Sequence, residues 1–197
     1  MGSSYSTDTP SHHPPKGGGL KQSRCSQCGQ FLVQRIPEGD DRSRLTCPDC
    51  GFIAYENPKV IVGAVCVWRT KFLMCKRAIQ PRKGFWTIPA GFLEVNETMA
   101  EGAAREAWEE AKTRILITGL LGFYEIPRIS QIYAIHKADM EEEVFAAGPE
   151  SEDVQLLEWN NIPWEELAFP SVSWALHRYQ EGGEPVVVLD SVAETTT

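Results

Sequence analysis

Apolar residues recur along the chain in two rhythms. Between positions 59 and 68 the run Val60-Ile61-Val62-Gly63-Ala64-Val65-Cys66-Val67 is continuously apolar and rich in β-branched side chains. That pattern predicts a strand covered on both faces. After a short charged turn, 72–75 predicts a second strand and 86–89 a third, and the segments around 115–123, 130–136 and 154–159 add more. The rhythm becomes helical at 99–112 and again at 171–180, where Pro170 near the first helical position and Ser171 as a cap mark the start. Strands mixed with two or three helices predict an α/β sandwich.

The helix at 99–112 has a defined beginning, because Thr98 and Glu101 are spaced as a capping box. At about 100° per residue, Ala100, Ala103, Ala104, Ala107, Trp108 and Ala111 share one side and predict the packed face. Glu106, Glu109 and Glu110 cover an opposite arc. At i, i+3 and i+4 these like charges repel by roughly 0.2 to 0.5 kcal/mol per pair, which implies a positive partner among them. Taken alone, an acidic stripe is a solvated face in which Arg105 pairs with Glu109. The preceding segment changes that reading. Pro89-Ala90-Gly91-Phe92-Leu93-Glu94 runs into Asn96-Glu97, so a glycine turn brings backbone carbonyls and two further carboxylates toward the same helix. Hard oxygen donors of this kind suit magnesium.

A second constellation lies upstream. Cys25-x-x-Cys28 and Cys47-x-x-Cys50, with 18 residues between the pairs, have the spacing in which two turns present four thiolates to one zinc ion. Gly29 and Gly51 suit the tight turns, and a site closed by four sulfurs leaves no position for water, so the zinc is structural. Cys66 and Cys75 lie in apolar runs and are expected to be packing residues.

Charge narrows the partners. The 197 residues carry a formal net charge of −8, against the basic footprint of a nucleic-acid binder, and the segment between the cysteine pairs is nearly balanced. No apolar run is long enough for a membrane span, and no apolar signal segment precedes the cysteines. A reducing, cytoplasmic setting is therefore expected. Residues 1–24 are rich in Ser, Thr, Pro, His and Gly and are expected to form a disordered tail, with 191–197 a second tail. Gly2 begins a pattern that fits N-myristoylation, a weak single anchor, and His12 and His13 fall short of a metal cluster. A zinc ribbon at 25–52 and a main domain at 57–190 complete the expected organisation.

Gly91, five residues, Glu97, seven residues, and then Arg105-Glu106-Ala107-Trp108-Glu109-Glu110 resembles the Nudix box of nucleoside diphosphate hydrolases. The resemblance implies a Nudix-type α/β/α sandwich with a mixed sheet, preceded by the small zinc ribbon. It implies that Glu106 and Glu110 are the principal ligands of Mg2+ (or Mn2+), with Glu109 and the Ala90 carbonyl as further ligands. Arg105 would position the glutamates and Glu97 would brace the loop. Either Glu106 or a downstream acid, Glu150, Glu152 or Asp153, would orient the attacking water. The box departs from the family at Lys112, where glycine is usual, and at Thr113, where an aliphatic residue is usual. Lysine there implies either a left-handed residue, at a cost of about 1 to 2 kcal/mol, or a helix that runs on.

Over 23–180 the chain is similar to the branch with an N-terminal zinc ribbon that includes plant FAD and ADP-ribose pyrophosphohydrolases. The residues concerned are Lys76-Arg77, Gln80-Pro81, the stretches 84–91 and 148–151, and Leu167-Ala168-Phe169. FAD and ADP-ribose are thus the leading substrates. NADH ranks below them, because Phe123-Tyr124-Glu125-Ile126-Pro127 stands where NADH-cleaving relatives carry their own motif. Tyr124, Phe169 and Trp164 are candidates to stack a flavin or adenine ring. Rival readings from other classes are a catalytically inactive nucleotide-binding protein and a zinc-ribbon adaptor. Similar proteins are commonly homodimers.

Overall fold

Two turns of the same design organise the first part of the chain. In the computed structural model, which describes residues 23–190, Cys25 N donates to Gln30 O while Gly29 N returns to Cys25 O. Likewise Cys47 N donates to Phe52 O while Gly51 N returns to Cys47 O. Both glycines are left-handed, with φ of 79° and 75°, which a residue bearing a Cβ resists. An antiparallel sheet of β1 (Val33–Arg35), β2 (Arg44–Thr46) and β3 (Ile53–Ala54) joins the turns. The third strand extends this unit beyond residue 52, and the chain divides between Glu56 and Asn57 into two compact units. Of the expected N-terminal tail, Ser23 and Arg24 belong to the ribbon, since Leu32 N donates to Ser23 O and Arg24 bridges to Phe31. Positions 1–22 and 191–197, including Gly2, His12 and His13, lie outside the described residues.

The second unit contains β4 (Lys59–Trp68), β5 (Lys71–Arg77), β6 (Trp86–Thr87), β7 (Ala90–Phe92), α1 (Met99–Ala111), β8 (Ile115–Ile126), β9 (Gln131–Met140), β10 (Ser151–Glu158), α2 (Pro170–Glu181) and β11 (Val186–Leu189). Its sheet has the order β10-β5-β4-β9-β8-β11, with β6 beside β5 and β7 beside β4. The β4–β9 and β8–β11 pairs are parallel and the rest antiparallel, so the sheet is mixed.

Strand alternation sorts the core into two layers. Val62, Ala64 and Cys66 of β4, with Leu73 and Cys75 of β5 and Ala134 and Ala138 of β9, face Ala103, Ala107 and Ala111 of α1. Small side chains on both sides let this helix lie close to the sheet. Val65, Val67, Phe72, Met74 and Ile135 point the other way, against Val172, Ala175 and Leu176 of α2. The result is the expected α/β/α sandwich, and Cys66 and Cys75 are buried packing residues within it.

Three local expectations are corrected, and one left open between two outcomes is decided. The packed face of α1 consists of Gly102, Ala103, Glu106, Ala107, Glu110 and Ala111, so the helix is turned toward its glutamates and Trp108 is left 49% exposed beneath Lys112 and Arg114. The cap of α2 is Phe169, without a side-chain bond; Pro170 follows it in the first turn, and Ser171 is buried. Strands β8 and β9 run to Ile126 and Met140, further than the apolar pattern marked. Finally, α1 ends at Lys112 in the left-handed conformation, φ 50° and ψ 31°, its N–H bonded to Trp108 O. The helix therefore stops where the family stops, with lysine bearing the strain that glycine avoids.

Candidate active site

Strand β7 and helix α1 together place the acidic side chains. Gly91 pairs with Val62, while Leu93 N donates to Val60 O and Ala64 N to Pro89 O. Hydrogen bonding alternates along an antiparallel ladder, so the polar groups of Ala90 and Phe92 face away from β4. Those groups meet the helix: Ala90 N donates to Glu110 Oε2 at 3.3 Å, and Phe92 O accepts from Arg105 at 2.9 Å. The Ala90 carbonyl shares the direction of its N–H. A Cβ at position 91 would overlap the Glu106 carboxylate, so only glycine lets the strand pass so close to the helix.

Arg105 is the hub. Its guanidinium donates to both oxygens of Glu97 (3.1 and 2.8 Å), to Glu106 Oε1 (2.6 Å) and to Glu109 Oε2 (3.1 Å). Glu97 in turn accepts from the Glu94 amide at 2.6 Å, and Arg105 first, then that amide, holds the Glu97 carboxyl below its usual range. The other oxygens, Glu106 Oε2, Glu109 Oε1 and Glu110 Oε1, have no hydrogen-bond partner among the described residues. Burial raises the pKa of Glu106, and it lifts that of Glu110 to about 8, reinforced by the Glu106 charge. The Ala90 amide and the Arg77 charge pull Glu110 the other way.

These groups line a cleft of about 690 Å³. Of the downstream acids, Glu150 lines the cleft and its charge acts on Glu106 and Glu110. Glu152 instead lies 3.6 Å from Lys83, and Asp153 bonds to Val154 N and Gln155 Nε2, both outside the lining. Of the three aromatic candidates, Phe169 lines the cleft. Tyr124 is 6% exposed, packed on Trp174 and bonded to Asp190, and Trp164 packs on Trp159 and His177, so neither reaches it. Arg77, a point of resemblance without a role in the sequence, lines the cleft together with Tyr133 and Gln131, which the sequence does not single out. Arg77 and Gln131 are signalled in the chain only as polar residues at the end and start of apolar strands, and Tyr133 only as an aromatic within one.

The two metal-type clusters differ in state. Cys25, Cys28, Cys47 and Cys50 bring their sulfurs within 4.8 Å of one another, with Cys25–Cys50 at 3.6 Å and Cys28–Cys47 at 3.4 Å. Tetrahedral zinc with bonds of about 2.3 Å requires sulfurs about 3.8 Å apart, so the residues fit the ion. Of these thiols Cys47 is lowered to about 7, chiefly by the Cys50 amide, while Cys28 and Cys50 are raised, so the spacing of the sulfurs is what carries the fit. The glutamates are not gathered to that spacing; Arg105 holds two and Ala90 N the third. Their free oxygens are nonetheless the hard donors a magnesium-type cation takes, and one guanidinium among several carboxylates leaves negative charge unbalanced.

An α/β/α sandwich whose cleft is lined by an acidic helix beside a glycine strand is the arrangement of a hydrolase assisted by a divalent cation. The chain belongs to the Nudix family: the NUDIX domain matches residues 57–180, and the Nudix N-terminal zinc-ribbon family matches 25–56. A NUDIX hydrolase from Nitrosomonas europaea of known crystal structure is 44% identical, with a TM-score of 0.80, over 85% of this chain and 99% of that one. The ADP-ribose pyrophosphatase of Methanocaldococcus jannaschii is 32% identical over 119 residues, 58% of this chain and 69% of its own. Phosphatase NudJ of Escherichia coli is 28% identical over 135 residues, 64% and 85% of the respective chains. The protein is a Nudix pyrophosphohydrolase, of a family that generally uses a divalent cation. No helix among the described residues is long and apolar enough to cross a membrane.

Proposed function

We propose that the protein hydrolyses the diphosphate bridge of FAD or ADP-ribose with Mg2+, yielding AMP with FMN or with ribose 5-phosphate. The observation that carries this reading is the set of three glutamates, each with an unbonded oxygen, lining a cleft whose volume of about 690 Å³ falls within the range that encloses small ligands. The relative named ADP-ribose pyrophosphatase favours one of the two substrates, and the ground for FAD is the resemblance noted above over 84–91, 148–151 and Leu167-Ala168-Phe169.

Glu106, Glu109, Glu110 and the Ala90 carbonyl are the proposed ligands. A cation bound there supplies neutralisation of the diphosphate oxygens and a more acidic water. Arg105 orients Glu106 and Glu109, and Glu97 orients Arg105. Glu150 is the proposed base, taking a proton from the attacking water. The water oxygen bonds to one phosphorus, the bond from that phosphorus to the bridging oxygen breaks, and the bridging oxygen leaves with the electron pair on the second phosphate.

The test is incubation with magnesium and FAD, ADP-ribose, NADH or NAD, with products identified by mass. AMP from FAD or ADP-ribose is expected. Release of AMP from NADH alone would move the substrate, and no cleavage of any of the four would overturn the reading. Glu106→Gln is expected to lower turnover by several orders of magnitude with the fold retained.

A further inference from the structure

Four cations line the cleft: Arg77, Arg105, Lys112 and Arg128. Arg105 is engaged by three carboxylates, Arg128 lies 3.6 Å from Asp190, and Lys112 leans 5.7 Å over the Trp108 ring. Arg77 is held firmly and has no acid. Its backbone N–H donates to Phe85 O (2.9 Å) and its carbonyl accepts from Gly84 N (2.8 Å), which fixes the end of β5. Its Nε donates to Pro81 O at 2.8 Å, and its guanidinium carbon lies 5.3 Å from the Phe169 ring centroid. Neither terminal nitrogen has an acceptor among the described residues. Arg77 lines the same cleft as Glu106, Glu109 and Glu110, and its charge is felt at Glu110.

A guanidinium fixed by its Nε and by a ring, with both NH2 groups unused, is a planar fork set for a tetrahedral oxyanion. Glu106, Glu109 and Glu110 are already placed on Arg105 and on Ala90 N, and Glu150, on the turn beside Arg77, forms no ion pair with it among the described residues. The missing acceptor must enter with the ligand. A diphosphate offers two phosphoryl groups, and the glutamate end accounts for one.

We propose that Arg77 binds the second phosphoryl group, the one that departs as the leaving monophosphate, and so sets which diphosphates lie in register for attack. This rests on the hydrolase reading above. As the bridging oxygen takes the electron pair of the broken bond, the leaving phosphate gains a negative charge, and the Arg77 NH2 groups face it. The Phe169 ring, 5.3 Å from the guanidinium carbon, limits how far the fork can swing.

The alternative is that Arg77 only staples the 77–85 loop. The test compares the full zinc-loaded chain with Arg77→Gln and Arg77→Lys. Loss of about 10²- to 10³-fold in kcat/KM is expected for Arg77→Gln, the scale of removing one preorganised donor to a developing anion. Inhibition by inorganic phosphate and by AMP should weaken in parallel, while the melting curve stays near that of the parent. Arg77→Lys, which keeps charge but not the fork, should fall between the two, and free guanidinium ion should restore part of the Arg77→Gln loss. A folded Arg77→Gln protein with parental kcat/KM and parental phosphate inhibition would overturn the proposal. If that variant does not fold, parental values in Arg77→Lys would overturn it equally. Binding of phosphate and AMP in the presence of magnesium requires no turnover. If neither FAD nor ADP-ribose is cleaved but Arg77→Gln still abolishes that binding, the substrate reading fails and the Arg77 assignment stands.

Discussion

Replacing Glu110 with glutamine separates the cost of burying a carboxyl from its proposed use as a ligand. Glu110 is 6% exposed, and burial, with the Glu106 charge behind it, lifts its pKa from 4.5 to about 8. Above pH 4.5 the unfolded chain releases this proton and the folded chain keeps it. Stability is therefore greatest below 4.5, declines as the pH rises, and stops declining near 8. By pH 7 the interval is about 2.5 pH units at about 1.36 kcal/mol each, or about 3 kcal/mol. Glu106, raised chiefly by burial as well, acts with the same sign. Glutamine has the shape of the protonated acid, can still accept from the Ala90 amide and does not ionise, so the variant lacks the Glu110 part of this decline.

The six tryptophans stand at positions 68, 86, 108, 159, 164 and 174, all in the second unit, so tryptophan fluorescence follows that unit alone. Zinc-loaded protein would be melted between pH 5 and 8 in buffer free of magnesium. At roughly 2 to 4 °C per kcal/mol for a domain of this size, the parent should lose roughly 6 to 12 °C more than Glu110→Gln across the range. Magnesium added at pH 8 should then raise the melting temperature of the parent and leave that of the variant unmoved. Parallel curves for the two proteins would refute a buried titrating carboxyl at 110. An equal response to magnesium would refute its part in holding the ion.

Gly91→Ala places a methyl group on the Glu106 carboxylate, and steady-state kinetics should show a fall in kcat of about 10²-fold or more, as expected when a catalytic group is misplaced by about 1 Å. Lys112→Gly should raise stability in urea titrations by about 1 kcal/mol, because glycine occupies the left-handed region without the lysine's strain; a decrease would mean that the contact with Trp108 outweighs the strain. Elemental analysis should find one zinc per chain, lost in Cys47→Ser. Since the zinc ribbon has little core of its own, circular dichroism of that variant should show loss of its three short strands while the tryptophan signal persists.

The acidic helix could be read in advance because Glu106, Glu109 and Glu110 follow one another within a single turn and a half, where local geometry alone decides their spacing. The cysteine turns were legible for the same reason. Which side of α1 would face the sheet was not, because a helical wheel shows the apolar arc but not the shape of the partner. Alanines at 64, 134 and 138 admit a close helix, and closeness buries Glu106 and Glu110 while pushing the bulky Trp108 outward. The choice of Glu150 over Glu152 and Asp153 depends on where the 148–151 turn is tied. Gly148 N donates to Glu110 O at 2.9 Å, and a Cβ on Gly148 would collide with the Glu109 carbonyl, so this turn lies directly against the end of α1. Strand β11 is four residues after a Gly-Gly pair, too short a run for periodicity to mark, and it exists because β8 offers it a parallel edge. Arg77 went unassigned because its meaning lies in Phe169 and Pro81, one of them 92 positions away.

The two clusters also imply different affinities, and the difference follows from how each is held. The thiols sit on paired turns that bring all four sulfurs together, so zinc would meet its full coordination shell with little rearrangement. The glutamates are held apart by a guanidinium and an amide, each leaving one oxygen unbonded, so a cation there would find only part of its shell in the protein. Magnesium completes such a shell with water and phosphate oxygens. Cation and diphosphate should then bind with positive coupling, each strengthening the other by the same factor. Magnesium titrations with and without a non-hydrolysable diphosphate analogue measure that factor directly. A value of one would mean that the two ligands do not share the glutamate end of the cleft.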